Sequence, residues 1–170
     1  MELWDLYTKD RVPTGQTHVR GEKLPDDLFH LVVHVWIKNS RGQYLISQHA
    51  ATRPHYPLMW ECVGGSVLAG ENSLQGALRE TKEEVGVPLD PAAGRVLFSS
   101  VRETVGGERF NDIRDVWLFH YDGEVDLKSA TTPEVAAVRW LSPAQIRELL
   151  NGGKLVPTLR YFFDRVDGQM

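Results

Sequence analysis

The chain has 170 residues, of which 42% are hydrophobic and 25% charged, with a formal net charge of -4; this is the profile of one soluble globular domain, residues 1–170, with a sizeable core. The negative balance argues against a nucleic-acid polymer or an anionic membrane as the main partner. No run approaches the ~18 apolar residues of a membrane helix, the opening MELWDLYTKD is too charged for a signal peptide, and the single cysteine, Cys62, has no internal disulfide partner, which fits a cytoplasmic location.

Residues 1–28 read as an N-terminal extension that packs on the core or makes a dimer contact. They comprise a short strand over residues 2–7, a turn over residues 12–15, and an approach through Leu24 and Pro25. Phe29, Leu31, Val33, Val35 and Ile37 then alternate with other residues, the pattern of a half-buried strand. A turn at residues 39–42 and a partner strand at 44–48 complete a hairpin. His30 and His34 are four apart, which on a strand separates them by about 13 Å, too far for one ion. Structural or substrate-facing roles suit them better.

Residues 49–59 form a loop carrying Arg53, Pro54, His55, Tyr56 and Pro57. Such a loop suits a wall that stacks a base or holds a phosphate, or a surface segment pinned by its aromatics. Gly64-Gly65 marks a bend. Asn72 with Gln75 resembles a capping box that starts a helix, and Gly86 and Pro88 end it near Val85.

That helix presents an electrostatic anomaly. Glu80, Glu83 and Glu84 lie three and four residues apart and crowd one face. Each like-charged pair costs roughly 0.2–0.5 kcal/mol. Only Arg79 is placed to compensate, at four residues from Glu83, while Lys82 points elsewhere. A cation from solution is the simplest remaining compensation, and carboxylates favour Mg2+ or Mn2+ over zinc.

Strands are predicted at residues 96–102 and 115–121, joined by a mobile loop, residues 103–114, which carries Glu103, Glu108, Arg109, Phe110, Asp112 and Arg114. The loop suits contact with a phosphate-rich substrate or a solvated hairpin. A polar connection over 126–136 precedes a last strand at 137–141. Ser142 and Pro143 then start a helix that Gly152-Gly153 stops, and Leu159, Phe162, Phe163 and Val166 predict a closing helix over 156–166.

Gly65, Glu71, Arg79, Glu80, Glu83, Glu84, Gly86 and Val87 follow the pattern G-x5-E-x7-R-E-x-x-E-E-x-G-V. Residues 64–87 thereby resemble the Nudix box, the signature of Nudix hydrolases. Thr81 departs from it, standing where an aliphatic residue is usual; its hydroxyl has the Ala77 carbonyl within reach on the buried face. The resemblance implies an α+β fold with a mixed β-sheet sandwiched between α-helices. It implies hydrolysis of a diphosphate linkage in a small-molecule nucleoside diphosphate derivative or related diphosphate, with Mg2+ or Mn2+ as cofactor.

By the same resemblance the Gly64 carbonyl, Glu80, Glu83 and Glu84 hold metal, and Glu80 is a ligand or the base. Arg79 orients Glu83, and Glu71 supports the loop or an outer water. Many members add a carboxylate from outside the box; Glu134 is the first choice, with Glu103, Glu108 and Asp112 as competitors. Arg53, Tyr56, Arg109 and Phe110 are the candidate substrate-binding residues. Members often form homodimers, and the substrate's identity is left open.

Upstream of the box the chain also resembles isopentenyl-diphosphate isomerases, which share the fold, at residues 12–15, His30-Leu31, 39–43, Pro57 and Trp60. Aligned without gaps, the isomerases' catalytic cysteine falls on Gly65 and two metal histidines fall on Val67 and Lys23, leaving only His30. Hydrolysis is therefore the favoured chemistry over isomerisation. A non-catalytic nucleotide-binding module is the other alternative, and such modules usually lack one or more box glutamates.

Overall fold

Apolar side chains at alternate positions from Phe29 to Ile37 put one face of a strand in the core, and in the computed structural model, which describes residues 1–169 apart from the Val105 side chain, this is the central strand β3 (His30–Lys38). Six further strands make up the main sheet: β4 (Tyr44–His49), β5 (Trp60–Glu61) and β6 (Val63–Ser66) come next in the chain, and three more come later. Before them, β1 (Leu3–Tyr7) and β2 (Pro13–Val19) form a separate antiparallel pair, tied to β3 by the Tyr7–Phe29 bridge. Helix α1 (Ser73–Val85) follows β6. Then come the long strands β7 (Gly94–Val105) and β8 (Glu108–His120), strand β9 (Val135–Leu141), and helices α2 (Pro143–Asn151) and α3 (Phe162–Arg165).

The main sheet is mixed and runs β5-β4-β3-β8-β7, with β6 paired to β3 and β9 to β4. On one edge β3 meets β8 in parallel, His30 opposite Asp112 and Lys38 opposite His120; on the other it meets β6 antiparallel, Val33 opposite Gly65 and His34 opposite Gly64. Both faces of β3 are covered. Val33, Val35 and Ile37 pack with Ala77 and Val85 of α1, while Trp36 packs with Ile146 of α2 and Phe162 of α3. The expected α+β sandwich is present, but β3 is buried on both faces rather than half-buried. Among the described residues no helix is long and apolar enough to cross a membrane.

Three expected elements differ. The turn expected at residues 12–15 is the start of β2; Thr14, Thr17 and Val19 suit a pleated edge, and Pro13 stands first, where no ladder donor is needed. The actual reversal lies at Thr8–Arg11, with the Arg11 amide bonded to the Thr8 carbonyl. The expected mobile loop over 103–114 is a tight hairpin: Gly106 and Gly107 both take positive φ, 59° and 86°, so that β7 and β8 run almost to the turn.

The closing helix expected over 156–166 is broken into a 3-10 turn (Pro157–Leu159) and the short α3. The Val156 amide is drawn off to the Trp60 carbonyl at 2.9 Å, which ties this segment to β5. The spacing still delivers Leu159, Phe162 and Val166 to the core. Phe162 is fully buried, its ring 4.6 Å from Trp36 and 4.9 Å from Tyr44. Phe162→Ala should destabilise the chain by about 3–5 kcal/mol in urea unfolding, as expected for a large ring lost from a packed core.

Candidate active site

Local chemistry fixes the start and end of α1, and with them the direction of its glutamates. Asn72 accepts from the Gln75 amide at 2.9 Å and the Gln75 side chain accepts from the Asn72 amide at 2.8 Å, completing the capping box. Gly86 closes the helix in the left-handed region, φ 71°, where its amide reaches the Lys82 carbonyl. Thr81 is fully buried and donates to the Ala77 carbonyl at 2.8 Å, so the one departure from the box pattern leaves the acidic face intact.

Arg79 joins the helix to its surroundings. Nε and Nη2 donate to the Glu71 carboxylate at 2.7 and 3.0 Å, Nη2 to the Ser66 carbonyl at 2.9 Å, and Nη1 to Glu80 at 2.9 Å and Glu83 at 3.1 Å. Glu71 in turn accepts from the Leu68 amide at 3.0 Å. Box loop, strand β6 and helix are thus locked to one guanidinium. The Gly-Gly pair has steric reasons: a Cβ on Gly65 would collide with the Glu80 carboxylate, and one on Gly64 would lie 2.8 Å from the Val33 carbonyl oxygen.

Glu84 is 2% exposed, and its Oε2 has no hydrogen-bond partner. Burial, with the charges of Glu61 and Glu80, pushes its carboxyl well above the usual range. Burial also pushes Glu80 up to about 7, against the pull of Arg79 and with a further push from Glu83 and Glu134. The guanidinium of Arg53 stands among these groups, Nη1 at 3.5 Å from Glu134, 3.7 Å from Glu61 and 3.9 Å from Glu84, and that nitrogen is buried without a hydrogen bond.

Glu61 is the site residue that sequence reading missed. It comes from β5, opposite Ser47 of β4, and also pairs with His49. A two-residue strand leaves no periodicity to read, so only the β4–β5 pairing reveals its direction. Glu134 comes from the connection before β9, held by the Ala50 amide on its carbonyl at 2.8 Å. Of the four carboxylates considered outside the box, Glu134 shares a cation with Glu84. Glu103 pairs with Lys9, Asp112 pairs bidentately with Arg102, and Glu108 stands in the cavity wall.

A cavity of about 680 Å³ opens beside this cluster, a size suited to a small-molecule ligand. Gly64, Gly65, Arg53 and Glu61 form the side nearest the carboxylate cluster, and Arg109 and Phe110 stand in its wall. Arg109 pairs with Asp26 at 2.5 Å, and the Phe110 ring lies 5.6 Å from the Arg102 guanidinium. Tyr56 does not line the cavity; its ring is 42% exposed on a turn where φ is 51°. His30 lies stacked at 3.9 Å on Trp4, and burial lowers its pKa to about 4. His34 bonds the Tyr161 hydroxyl at 2.6 Å. Both histidines are packed against aromatic neighbours and also line the cavity. Cys62 is 2% exposed in the core, where burial raises its thiol pKa.

The NUDIX domain family matches residues 28–165. The chain belongs to the Nudix family. An uncharacterised Nudix hydrolase of Listeria innocua is 38% identical over 164 residues, 96% of this chain and 91% of that protein. An isopentenyl-diphosphate isomerase of Escherichia coli is 31% identical over 87 residues, which span 51% of this chain and 48% of the isomerase. In fold, the crystal structure of a Deinococcus radiodurans protein superposes with a TM-score of 0.70 at 20% identity, over 91% of this chain and 92% of that one. The Nudix chain is thus similar to hydrolases over nearly its whole length and to the isomerase over half of it.

Nudix enzymes generally use divalent metals, and the residues here fit one. Among the described residues no three His, Cys, Asp or Glu side chains converge into a ready-made ligand set. Yet the donors near α1 are all oxygens, one is buried without a partner, and burial makes their charge costly without a cation.

Glu80 gives the metal-free chain a pH signature. It holds its proton to about pH 7 when folded and to about 4.5 when unfolded, so the folded state binds more protons in that window and stability falls as pH rises through it. Urea unfolding in EDTA should lose up to about 3 kcal/mol from this group, and Glu80→Gln should flatten that part of the slope. Gly65→Ala, which forces the Glu80 carboxylate aside, should destabilise the chain by about 1–3 kcal/mol in the same assay.

Proposed function

We propose that this chain is a Mg2+- or Mn2+-dependent hydrolase that cleaves a diphosphate linkage in a nucleoside diphosphate derivative or a related diphosphate. The observation that carries the reading is the buried, unpartnered Glu84 oxygen in a group of carboxylates that includes Glu61, Glu80 and Glu134. Such a group stays charged at neutral pH only beside a cation. Residues 1–170 act as one Nudix domain, with the N-terminal segment packed against the catalytic unit.

Glu80, Glu83, Glu84 and the Gly64 carbonyl would hold the ion. When bound, it lowers the pKa of water and neutralises charge that builds on the phosphoryl oxygens. Arg79 fixes Glu80 and Glu83 by direct hydrogen bonds, so the carboxylates need not reorganise during the reaction. Glu80 or Glu134 takes the proton of the attacking water. Arg53 is tethered within reach of the same carboxylates, and we assign it to a phosphate oxygen of the substrate, with Arg109 and Phe110 holding the group beyond. Tyr56 stands off the cavity lining and is given no role in this reading.

Isomerase chemistry is not favoured, because Gly65 and Val67 stand where the isomerases place a thiol and a metal-binding imidazole. A screen over nucleoside diphosphates, nucleotide sugars and isopentenyl diphosphate with Mg2+ or Mn2+, products read by mass, tests the reaction. Hydrolysis products are expected; isomerised isopentenyl diphosphate would overturn the choice. Glu84→Gln should keep the circular dichroism spectrum and lower turnover by at least about a hundredfold. A rate near wild type at saturating Mg2+ would remove Glu84 from the metal site.

A further inference from the structure

The cavity wall away from α1 is built by the β7–β8 hairpin and by a segment that lies outside the family match. Residues 20–24, between β2 and β3, contribute Arg20, Gly21, Glu22, Lys23 and Leu24, whereas the NUDIX match begins at residue 28. This turn is firmly anchored. The Arg20 amide bonds the Glu2 carbonyl at 3.0 Å, the Glu22 amide bonds the Val19 carbonyl at 3.2 Å, and buried His18 meets the Glu22 carbonyl at 3.1 Å. A turn held in this way fixes the backbone from which Arg20 and Lys23 project.

Four cations share this wall: Arg20, Lys23, Arg102 and Arg109. They differ in how far their charge is already committed. Arg102 is bound bidentately to Asp112, which is 1% exposed, and breaking that pair would strand a buried carboxylate. Arg20 pairs with Glu2 at 2.6 Å, but both side chains are solvated, 56% and 44% exposed, and such a pair is readily exchanged for another anion. Lys23 is exposed and enters no ion pair among the described residues. The charge of Arg20 also reaches the catalytic cluster: Glu2 does most to keep it protonated, and Glu134 and Glu80 add to this. The wall facing the carboxylate cluster thus holds two cations open to a ligand, Lys23 and the exchangeably paired Arg20, beside Glu22, Glu108 and the Arg102-bound Asp112.

We propose that Arg20 and Lys23 are substrate-binding residues that hold the phosphate not held by the carboxylate cluster, so that the N-terminal segment is part of the active site. This rests on the diphosphate reading above. An anion spanning the cavity would meet the metal site at one phosphate and two available cations at the other, while Arg102 keeps the wall in place.

Calorimetric titration with Mg2+ present compares α,β-methylene-ADP, which has two phosphates and resists cleavage, with AMP, which has one. The wild type, Arg20→Ala/Lys23→Ala and Arg20→Lys/Lys23→Arg are each titrated. The neutral double variant should lose about tenfold of its preference for the two-phosphate ligand over AMP, and the charge-keeping variant should stay within about threefold of wild type. A general disturbance of the wall would weaken both ligands alike, and that result overturns the proposal. So does an unchanged preference, or failure of the wild type to bind the analogue. If the preference falls as expected but no diphosphate is cleaved in the hydrolysis screen, the hydrolase reading fails while the phosphate site stands.

Discussion

Five hydrogen bonds from one guanidinium, that of Arg79, hold the site together. They tie Glu71 of the box loop and the Ser66 carbonyl at the end of β6 to Glu80 and Glu83 on α1. Without that cation the loop, strand and helix would have no common anchor, and the carboxylates would spread apart under mutual repulsion. The guanidinium satisfies only part of the charge. Glu84 faces away from it, buried and with one oxygen unpartnered, so the same helix that is neutralised at Arg79 remains short of a cation one turn further on.

The sheet decides what that helix faces. β3 is covered on both sides, with α1 on one face and the α2–α3 aromatic cluster on the other, and its edge pairs with the Gly-Gly strand β6. Because β6 carries no side chains at Gly64 and Gly65, the Glu80 carboxylate can lie directly against its backbone. The absence of a Cβ therefore has a steric use: it lets the Glu80 carboxylate pack against the strand backbone at Gly65.

Around this centre, Glu61, Glu80, Glu84 and Glu134 gather on the α1 side with Arg53 suspended among them, while Arg20, Lys23, Arg102 and Arg109 share the wall made by the N-terminal turn and the β7–β8 hairpin with Glu22, Glu108 and Asp112. The rigidity of the second wall follows from its hydrogen bonds: Asn111 caps three carbonyls, those of Pro25, Asp26 and Leu28, and Arg102 is clamped on Asp112.

The sequence by itself determined the chemistry of α1, its caps and its family. Those depend on residues within about one helical turn of each other, so fixed spacing in the chain is fixed spacing in space. The alternation of β3 and the capping residues Asn72 and Ser142 were legible for the same reason. Only the tertiary structure decided the rest. The charged residues 103–114 look like a loop until Arg102 meets Asp112 across a hairpin, and residues 156–166 look like one helix until the segment docks on β5 as a 3-10 turn followed by a short helix. Glu61 and Arg20 carry no local signal at all. Each reaches the site through strand pairing with distant segments, β5 on β4 and β2 on β1, and long-range pairing is the information that side-chain periodicity does not contain.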